Sequence, residues 1–413
     1  MKNRDIVIVA LQSWDFEIGS NARNIAREFA RQNRVIYVNP PLDRITRYRK
    51  KNDERTQRFL KVINKKESAL KEVENNIWNL TPGFVAESIN FIPTPFVYDT
   101  INFRNNKSFA RSIDAAMKEL NFRDIIVFND NLMFGGLYLK QLLKPSTYAY
   151  YIRDYLIVQP YFAKHGRRLE PKIIESSDVI VANSTYLQEY AAQYNPKSFY
   201  VGQGCEVEMF DNSLVNEKPH DLTNIPSPLI GYVGNLTSQR LDIPLLVEIA
   251  KRKPEWSIVL VGPEDELFRT SQLHEIKNVH FLGKKKPAEL PAYVKYFDVC
   301  MNPQAINQLT IGNYPRKIDE YLAMGKPTVA SNTKAMEIFK NECYLASTPD
   351  EYLLEIASAL SENDAALRQR RIDVARSHTW ENSVNEIYKA LRLVGESPQP
   401  PSGQAFMSAN EIP

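Results

Sequence analysis

Twice along this 413-residue chain, short apolar runs alternate with amphipathic stretches, and a polar, proline-bearing segment separates the two series. In the first series Ile6–Ala10, Val35–Asn39, Ile125–Asn129, Thr147–Ile152, Val179–Ala182 and Ser198–Val201 read as strands. Asn21–Arg31 and Pro171–Glu175 read as helices between them. In the second series Leu229–Val233, Ser257–Val261, Val279–Leu282, Val299–Asn302 and Thr328–Ala330 read as strands. Runs that are apolar throughout belong to strands covered on both faces, the situation in a parallel sheet flanked by helices. The expectation is an α/β chain with two Rossmann-like, doubly wound parallel-sheet domains facing a central cleft. Its expected parts are residues 1–210, a linker at 211–227 holding Pro219 and Pro226, a second domain at 228–379, and a helix at 380–395. The Pro/Ser-rich tail, 396–413, has no periodicity and is expected to be disordered.

Composition narrows the class. A hydrophobic fraction of 43% and a charged fraction of 24% are those of a globular chain. The net charge of +3 is too small to imply nucleic acid as a partner. No run of about twenty apolar residues exists to span a membrane. The N-terminal apolar run, Ile6–Ala10, is too short for a secretory signal, and Cys205, Cys300 and Cys343 are scattered without a CxxC pair. Together these give an expectation of a cytoplasmic protein without a disulfide framework or zinc site.

The segment Tyr314-Pro315-Arg316-Lys317-Ile318-Asp319-Glu320-Tyr321-Leu322 opens as a helix with proline at its start and Ile318, Tyr321 and Leu322 at helical spacing. Gly325 ends it, Lys326-Pro327 prevents its return, and Thr328–Ser331 follows as a short interior strand. Lys317 and Glu320, three apart, share one face. A cation and a carboxylate near a helix N-terminus suit a phosphate and a ribose hydroxyl. An ordinary amphipathic helix with a solvated Lys–Glu pair would carry the same letters. Upstream, Gly231-Tyr232-Val233-Gly234-Asn235 leads from a strand through a glycine turn to Arg240, just before a helix near Asp242. Gly234 would allow close backbone approach, and the guanidinium of Arg240 suits a diphosphate. These glycines do not form GxGxxG, and the next strand ends in Gly262-Pro263 rather than an acid, so a dehydrogenase reading is weak.

Taken in order, these segments resemble the donor half of retaining, GT-B-fold glycosyltransferases of the glycosyl transferases group 1 family (glycosyltransferase family 4). The resemblance implies that residues 228–379 bind the nucleotide-sugar donor, that 1–210 bind the acceptor, and that 380–395 cross back to the first domain. It implies that Glu320 holds the ribose and that Arg240 and Lys317 hold the diphosphate. Gly262, and the Leu282-Gly283-Lys284 segment whose backbone usually meets the base, match two further family positions. Gly234, Asn235 and Asn313 complete the expected donor side, and Gly19, in the loop Trp14–Asn21, would face the diphosphate from the first domain. Ser20, Asp154 and His165 are expected on the acceptor side. Ser20 could equally be only an N-cap, Asp154 only the ion-pair partner of Arg153, and His165 only a residue of a polar loop. Glu170 is expected at the start of the following helix, where it could stand on the acceptor side.

One position departs from the family. Many relatives carry a second glutamate eight residues before the first, and here that place holds Gly312. Sugar recognition would then fall to Asn307, Gln308, Thr310 or Asn313. No DxD-type metal motif stands at a strand end, so transfer without a metal or other cofactor is expected, with retention implied by the family alone. A basic stretch, Asp43–Lys66, interleaves Arg44, Arg47, Arg49, Lys50, Lys51 and others with apolar residues. It reads either as a solvated, mobile insertion or as a surface for anionic lipid at the inner membrane face. The expected activity is transfer of a sugar from a UDP- or GDP-sugar to a glycan or lipid-linked acceptor in cell-surface polysaccharide synthesis, a hexosyltransferase. The alternatives are a sugar-nucleotide epimerase on the same architecture, and a nucleotide-sugar-binding protein without catalysis.

Overall fold

The computed structural model describes residues 1–15 and 20–395; Gly19 and the tail at 396–413, both the subject of expectations above, lie outside the described residues. Sixteen strands run β1 (Asp5–Ala10), β2 (Arg34–Val38), β3 (Leu42–Asp43), β4 (Leu70–Glu74), β5 (Ile77–Leu80), β6 (Val85–Ala86), β7 (Ile126–Asp130), β8 (Thr147–Ile152), β9 (Val179–Ala182), β10 (Ser198–Tyr200), β11 (Leu229–Val233), β12 (Ser257–Val261), β13 (Val279–Gly283), β14 (Val299–Asn302), β15 (Thr328–Ser331) and β16 (Tyr344–Ala346). Ten of them build the first domain, where one sheet has the order β10-β9-β8-β7-β1-β2-β5-β4 and β3 pairs with β6. Within the large sheet only β4 is antiparallel. The second sheet is parallel throughout, in the order β13-β12-β11-β14-β15-β16. Numbered within its own domain this is 3-2-1-4-5-6, the doubly wound nucleotide-binding order.

Most of the strands read from apolar runs are buried, whereas the edge strands β13 and β10 are only partly so. All residues of β1, β8, β11 and β12 are buried, so each presents side chains to helices on both faces. Each sheet reverses direction at one point, between β1 and β7 in the first and between β11 and β14 in the second. A crevice opens beyond the carboxyl ends of the strands at such a switch point.

Val201 packs in the core of the first domain, whereas Cys205, Val207 and Phe210 pack in that of the second. The helix Trp380–Gly395 returns to the first domain: Trp380, Val384, Ile387, Tyr388 and Leu391, at helical spacing, pack on the β1 face. Tyr388 stacks on Phe29 with centroids 5.4 Å apart.

Three elements differ from the sequence reading. The helix expected from Pro171 begins eleven residues earlier, at Pro160, and runs to Ser176 with Pro171 inside it. Proline favours a first turn, and here two prolines in one helix compete for that reading. The basic stretch is not a loose insertion but two short helices, Arg44–Arg49 and Glu54–Ile63, capped by Asp43 and Asp53. Phe59 and Val62 anchor the second. A helix over Pro95–Glu119 lacked a clean apolar stripe, because Asn102 and Asn106 fill its buried face. Both amides bond the carbonyl of Phe134, at 3.2 and 3.0 Å, and that bonding makes polar residues acceptable there.

Candidate active site

The switch point of the second sheet fixes the site. Beyond the ends of β11 and β14 lies a cavity of about 330 Å³. Arg240, Arg316 and Lys317 line it together with Tyr232, Asn235, Gln304 and Asn313, and among the described residues no carboxylate does. The helix Arg316–Ala323 begins at its edge. Pro315 stands at the N-cap and offers no side-chain cap; the Arg316 and Ile318 N–H groups donate to the carbonyls of Tyr314 and Pro315 at 3.2 and 2.9 Å, which leaves the Lys317 N–H to face an anion. The helix is pinned from below: the Val233 N–H donates to the Tyr321 hydroxyl at 3.0 Å. It is pinned from behind by a buried cluster in which the Tyr314 hydroxyl donates to Asp319 at 2.9 Å and His378 Nδ1 lies 2.7 Å from the other carboxylate oxygen. Burial pushes the Asp319 carboxyl up, against the pull of His378.

Gly234 has φ of +144°, and a Cβ there would lie 2.0 Å from Lys317 Cε. The absence of a side chain lets Lys317 lie across the end of β11, its ammonium 5.6 Å from the centre of the Tyr232 ring. Gly262 follows directly on β12, and a Cβ there would lie 1.8 Å from the Gly234 carbonyl oxygen. Lys317, Arg240 and Arg316 form no close ion pair with a described residue, and Glu320 is a carboxylate that feels Lys317 and Arg316. The guanidinium of Arg316 has its Nε buried without a hydrogen-bond partner. Glu320 is half-buried one turn along the helix and makes no hydrogen bond to a described residue. Enclosure raises its carboxyl pKa, and Lys317 and Arg316 oppose the rise.

Asn313 carries the sharpest signal. Its side chain is 7% exposed and both amide atoms lack a partner. A buried unsatisfied amide costs about 1–3 kcal/mol, which calls for a ligand or water to complete it. Its neighbours are not free. Asn307 accepts from the N–H groups of Leu309 and Thr310, its amide donates to the Gln239 carbonyl at 2.9 Å, and Thr310 bonds back to Ala305. Of the four polar residues expected to recognise a sugar, Asn307 and Thr310 therefore hold their own loop together. Gly312 is explained by the other domain: a Cβ there would sit 2.1 Å from Tyr186 Cδ1, so the ring occupies the space a side chain would need.

Leu282, Gly283 and Lys284 lie on β13 and just past it, two strands from Gly234, and do not line the cavity. The acidic run after Pro263 is committed elsewhere: Glu264 lies 2.7 Å from His274, Asp265 caps a short helix, and Glu266 pairs with Arg269.

Across the cleft, polar atoms collect at the carboxyl ends of the first sheet. Ser13 Oγ, Asp130 Oδ2, Asn131 Nδ2, Asn183 Oδ1 and Thr185 Oγ1 are buried without partners among the described residues. Ser20 stands at an N-cap position, yet its hydroxyl makes no cap hydrogen bond. Arg153 joins the remaining Asp130 oxygen at 2.8 Å to Asp154 at 2.9 Å. Asp154 is thus tied to Arg153, and the buried Asp130, which burial pushes up against the pull of Arg153, is the carboxylate with an unused oxygen. Sequence reasoning missed it because the strand seemed to end at Asn129.

His165 is corrected. It lies within the helix Pro160–Ser176, 3% exposed, stacked on Tyr98 at 3.7 Å, and burial lowers its pKa. Glu170 is likewise mid-helix and fully buried, accepting from the hydroxyls of Tyr150 and Tyr190 at 3.2 and 3.1 Å. Both are core residues.

Residues 227–362 match the family model described as Glycosyl transferases group 1. Over 233 residues the chain is 26% identical to TuaH of Bacillus subtilis strain 168, whose name assigns it provisionally to teichuronic acid biosynthesis as a glycosyltransferase. That match covers 53% of this chain and 58% of the relative, so the chain spans little more than half the length of the curated relative it matches. The fold is similar to a UDP-forming trehalose-phosphate synthase from Burkholderia xenovorans, with a TM-score of 0.66, 14% identity and coverage of 96% and 100% of the two chains. It is also similar to Anabaena HepE in complex with UDP, with a TM-score of 0.64, 13% identity and coverage of 94% and 100%. The two domains form the GT-B architecture.

Proposed function

We propose that this chain is a glycosyltransferase that moves a sugar from a nucleotide-diphosphate sugar to a hydroxyl of a glycan or lipid-linked acceptor in cell-surface polysaccharide synthesis. The observation that carries the reading is one cavity that combines three unpaired cations, a helix N-terminus and the unsatisfied amide of Asn313. The matched family segment lies over this cavity, and a neighbour of the same fold was crystallised with UDP.

In this reading Arg240, Arg316 and Lys317 neutralise the diphosphate, and Glu320 accepts from the ribose hydroxyls. Asn313 holds the donor from the side of Gly312. Ser20 and Asp130, the latter oriented by Arg153, position the acceptor hydroxyl. As the bond from the anomeric carbon to the diphosphate breaks, the acceptor oxygen bonds that carbon and its proton passes to the departing phosphate. Fixed cations facing the developing negative charge lower the barrier without reorganising. The proposal includes transfer without a metal and with retention of configuration. Incubation with UDP- and GDP-sugars, with and without a lipid extract as acceptor, tests it. Release of UDP or GDP together with a glycosylated lipid supports transfer. A new epimer of the donor sugar without any acceptor would point to epimerisation instead.

A further inference from the structure

Six large apolar side chains stand in solvent on the first domain: Ile45, Tyr48, Phe91, Phe96, Val97 and Tyr161, with Tyr48 86% and Phe96 80% exposed. They come from three pieces of chain: the helix Arg44–Arg49, the segment from residue 87 into the first turn of the helix Pro95–Glu119, and the first turn of the helix Pro160–Ser176. Hydrogen bonds hold these pieces side by side. The Ile45 N–H donates to Ser88 Oγ at 2.9 Å, and Arg44 pairs with Glu87. The Asn90 amide donates to the Tyr161 carbonyl at 2.9 Å, and the Lys164 ammonium to the Phe91 carbonyl at 2.7 Å. The exposed rings therefore form one patch on a fixed frame. A patch of this kind on a monomer marks a surface that something covers.

Charge says what covers it. Arg47, Arg49, Lys50 and Lys51 ring the patch on one side, all exposed and without an ion pair among the described residues. The carboxylates nearby are already engaged: Glu87 with Arg44, Asp43 with Ser88 and Thr46, and Asp99 with Arg168. Aromatic and aliphatic tips beside uncompensated lysine and arginine are the composition of a surface seated in the interface of a bilayer with anionic headgroups. The place in the fold agrees. The helix Arg44–Arg49 follows β2 and β3, and the helix Pro160–Ser176 follows β8, so the patch lies at the carboxyl ends of the first sheet, on the side of Asp130 and Arg153.

We infer that this face docks on an anionic lipid surface, with Tyr48, Phe91, Phe96 and Tyr161 entering the interface and the cleft turned toward an acceptor held in the membrane. The purpose of docking rests on the acceptor reading above; the docking itself does not. The sequence pointed to the whole of Asp43–Lys66, but the second helix of that stretch is spent otherwise: Arg58 pairs with Asp15 and Lys61 with Glu67.

Flotation of the full chain with vesicles of phosphatidylcholine, alone or with about one third phosphatidylglycerol, tests the inference. The expected result is binding to the anionic vesicles, weakened at least about tenfold in Tyr48→Ser/Phe96→Ser at every salt concentration. Lys50→Ser/Lys51→Ser should weaken it mainly at low salt. UDP binding should be unchanged in both variants. No binding of the wild type, or binding that ignores Tyr48→Ser/Phe96→Ser, would overturn the inference. Failure of the transferase reading would appear differently, as absent nucleotide binding and turnover in a protein that still floats.

Discussion

Gly234→Ala is the substitution that separates the site from its scaffold most cleanly. A Cβ at this position would lie 2.0 Å from Lys317 Cε and 2.3 Å from Lys317 Nζ. The obstructed group is the end of a flexible side chain, so the lysine swings out of the cavity and the fold survives. Stability should fall by the cost of holding alanine at φ +144°, of order 1–3 kcal/mol. Binding should lose the charge-assisted contact between Lys317 and a phosphate, about 1.5–3 kcal/mol. That corresponds to a roughly 10- to 150-fold weaker Kd for UDP. The assay is titration calorimetry with UDP on the wild type, Gly234→Ala, Lys317→Ala and the double variant. The two substitutions act on one group, so the double variant should bind as Lys317→Ala does. Wild-type affinity in Gly234→Ala, or two losses that multiply in the double variant, would refute the placement of Lys317 against the diphosphate.

Asn313→Ala removes an amide that no described residue satisfies, so the melting temperature should hold or rise while the donor KM increases about tenfold or more. Differential scanning calorimetry and steady-state kinetics check the two halves. Gly312→Ala should drive the ring of Tyr186 away and lower turnover, and Tyr186→Ala/Gly312→Ala should recover part of the loss, read from initial rates. Burial pushes the Glu170 carboxyl up to about 7, against its bonds from Tyr190 and Tyr150. The native state then binds more protons than the unfolded state between the two pKa values, so stability falls as pH rises from about 4.5 to about 7. Glu170→Gln should flatten that slope and add about 3 kcal/mol above pH 7, with little change near pH 4, as measured by urea unfolding.

Much of the architecture was legible because parallel strands buried on both faces announce themselves as apolar runs. The stretches Leu229–Val233 and Ser257–Val261 are strands with the bounds their letters give. The helix Arg316–Ala323 was legible from its proline, its spacing and the glycine at 325. Side-chain destinations were not. His165 sits among polar letters, and only the Tyr98 ring, 67 positions away in sequence, makes its place a core site. Arg316 stands inside the motif, but nothing in the letters separates it from a solvated neighbour of Lys317. Asp130 was hidden by a strand boundary one residue too short. Gly312 marks a missing glutamate in sequence, and its counterpart, Tyr186, belongs to the other domain, a pairing that only the closed cleft reveals. The exposed rings of Phe91, Phe96 and Tyr161 look like core residues in a composition, and only the fold shows them in water.

The measurement that bears most directly on the central claim is the affinity for UDP, GDP and ADP of the wild type beside Arg240→Ala, Arg316→Ala and Glu320→Ala. The account predicts that one nucleotide binds selectively and that each arginine substitution weakens it about 10- to 150-fold. Glu320→Ala should weaken the ribonucleotide but leave inorganic diphosphate unaffected. Equal affinity in all four proteins, or no binding of any nucleotide, would contradict the assignment of this cavity as a donor site.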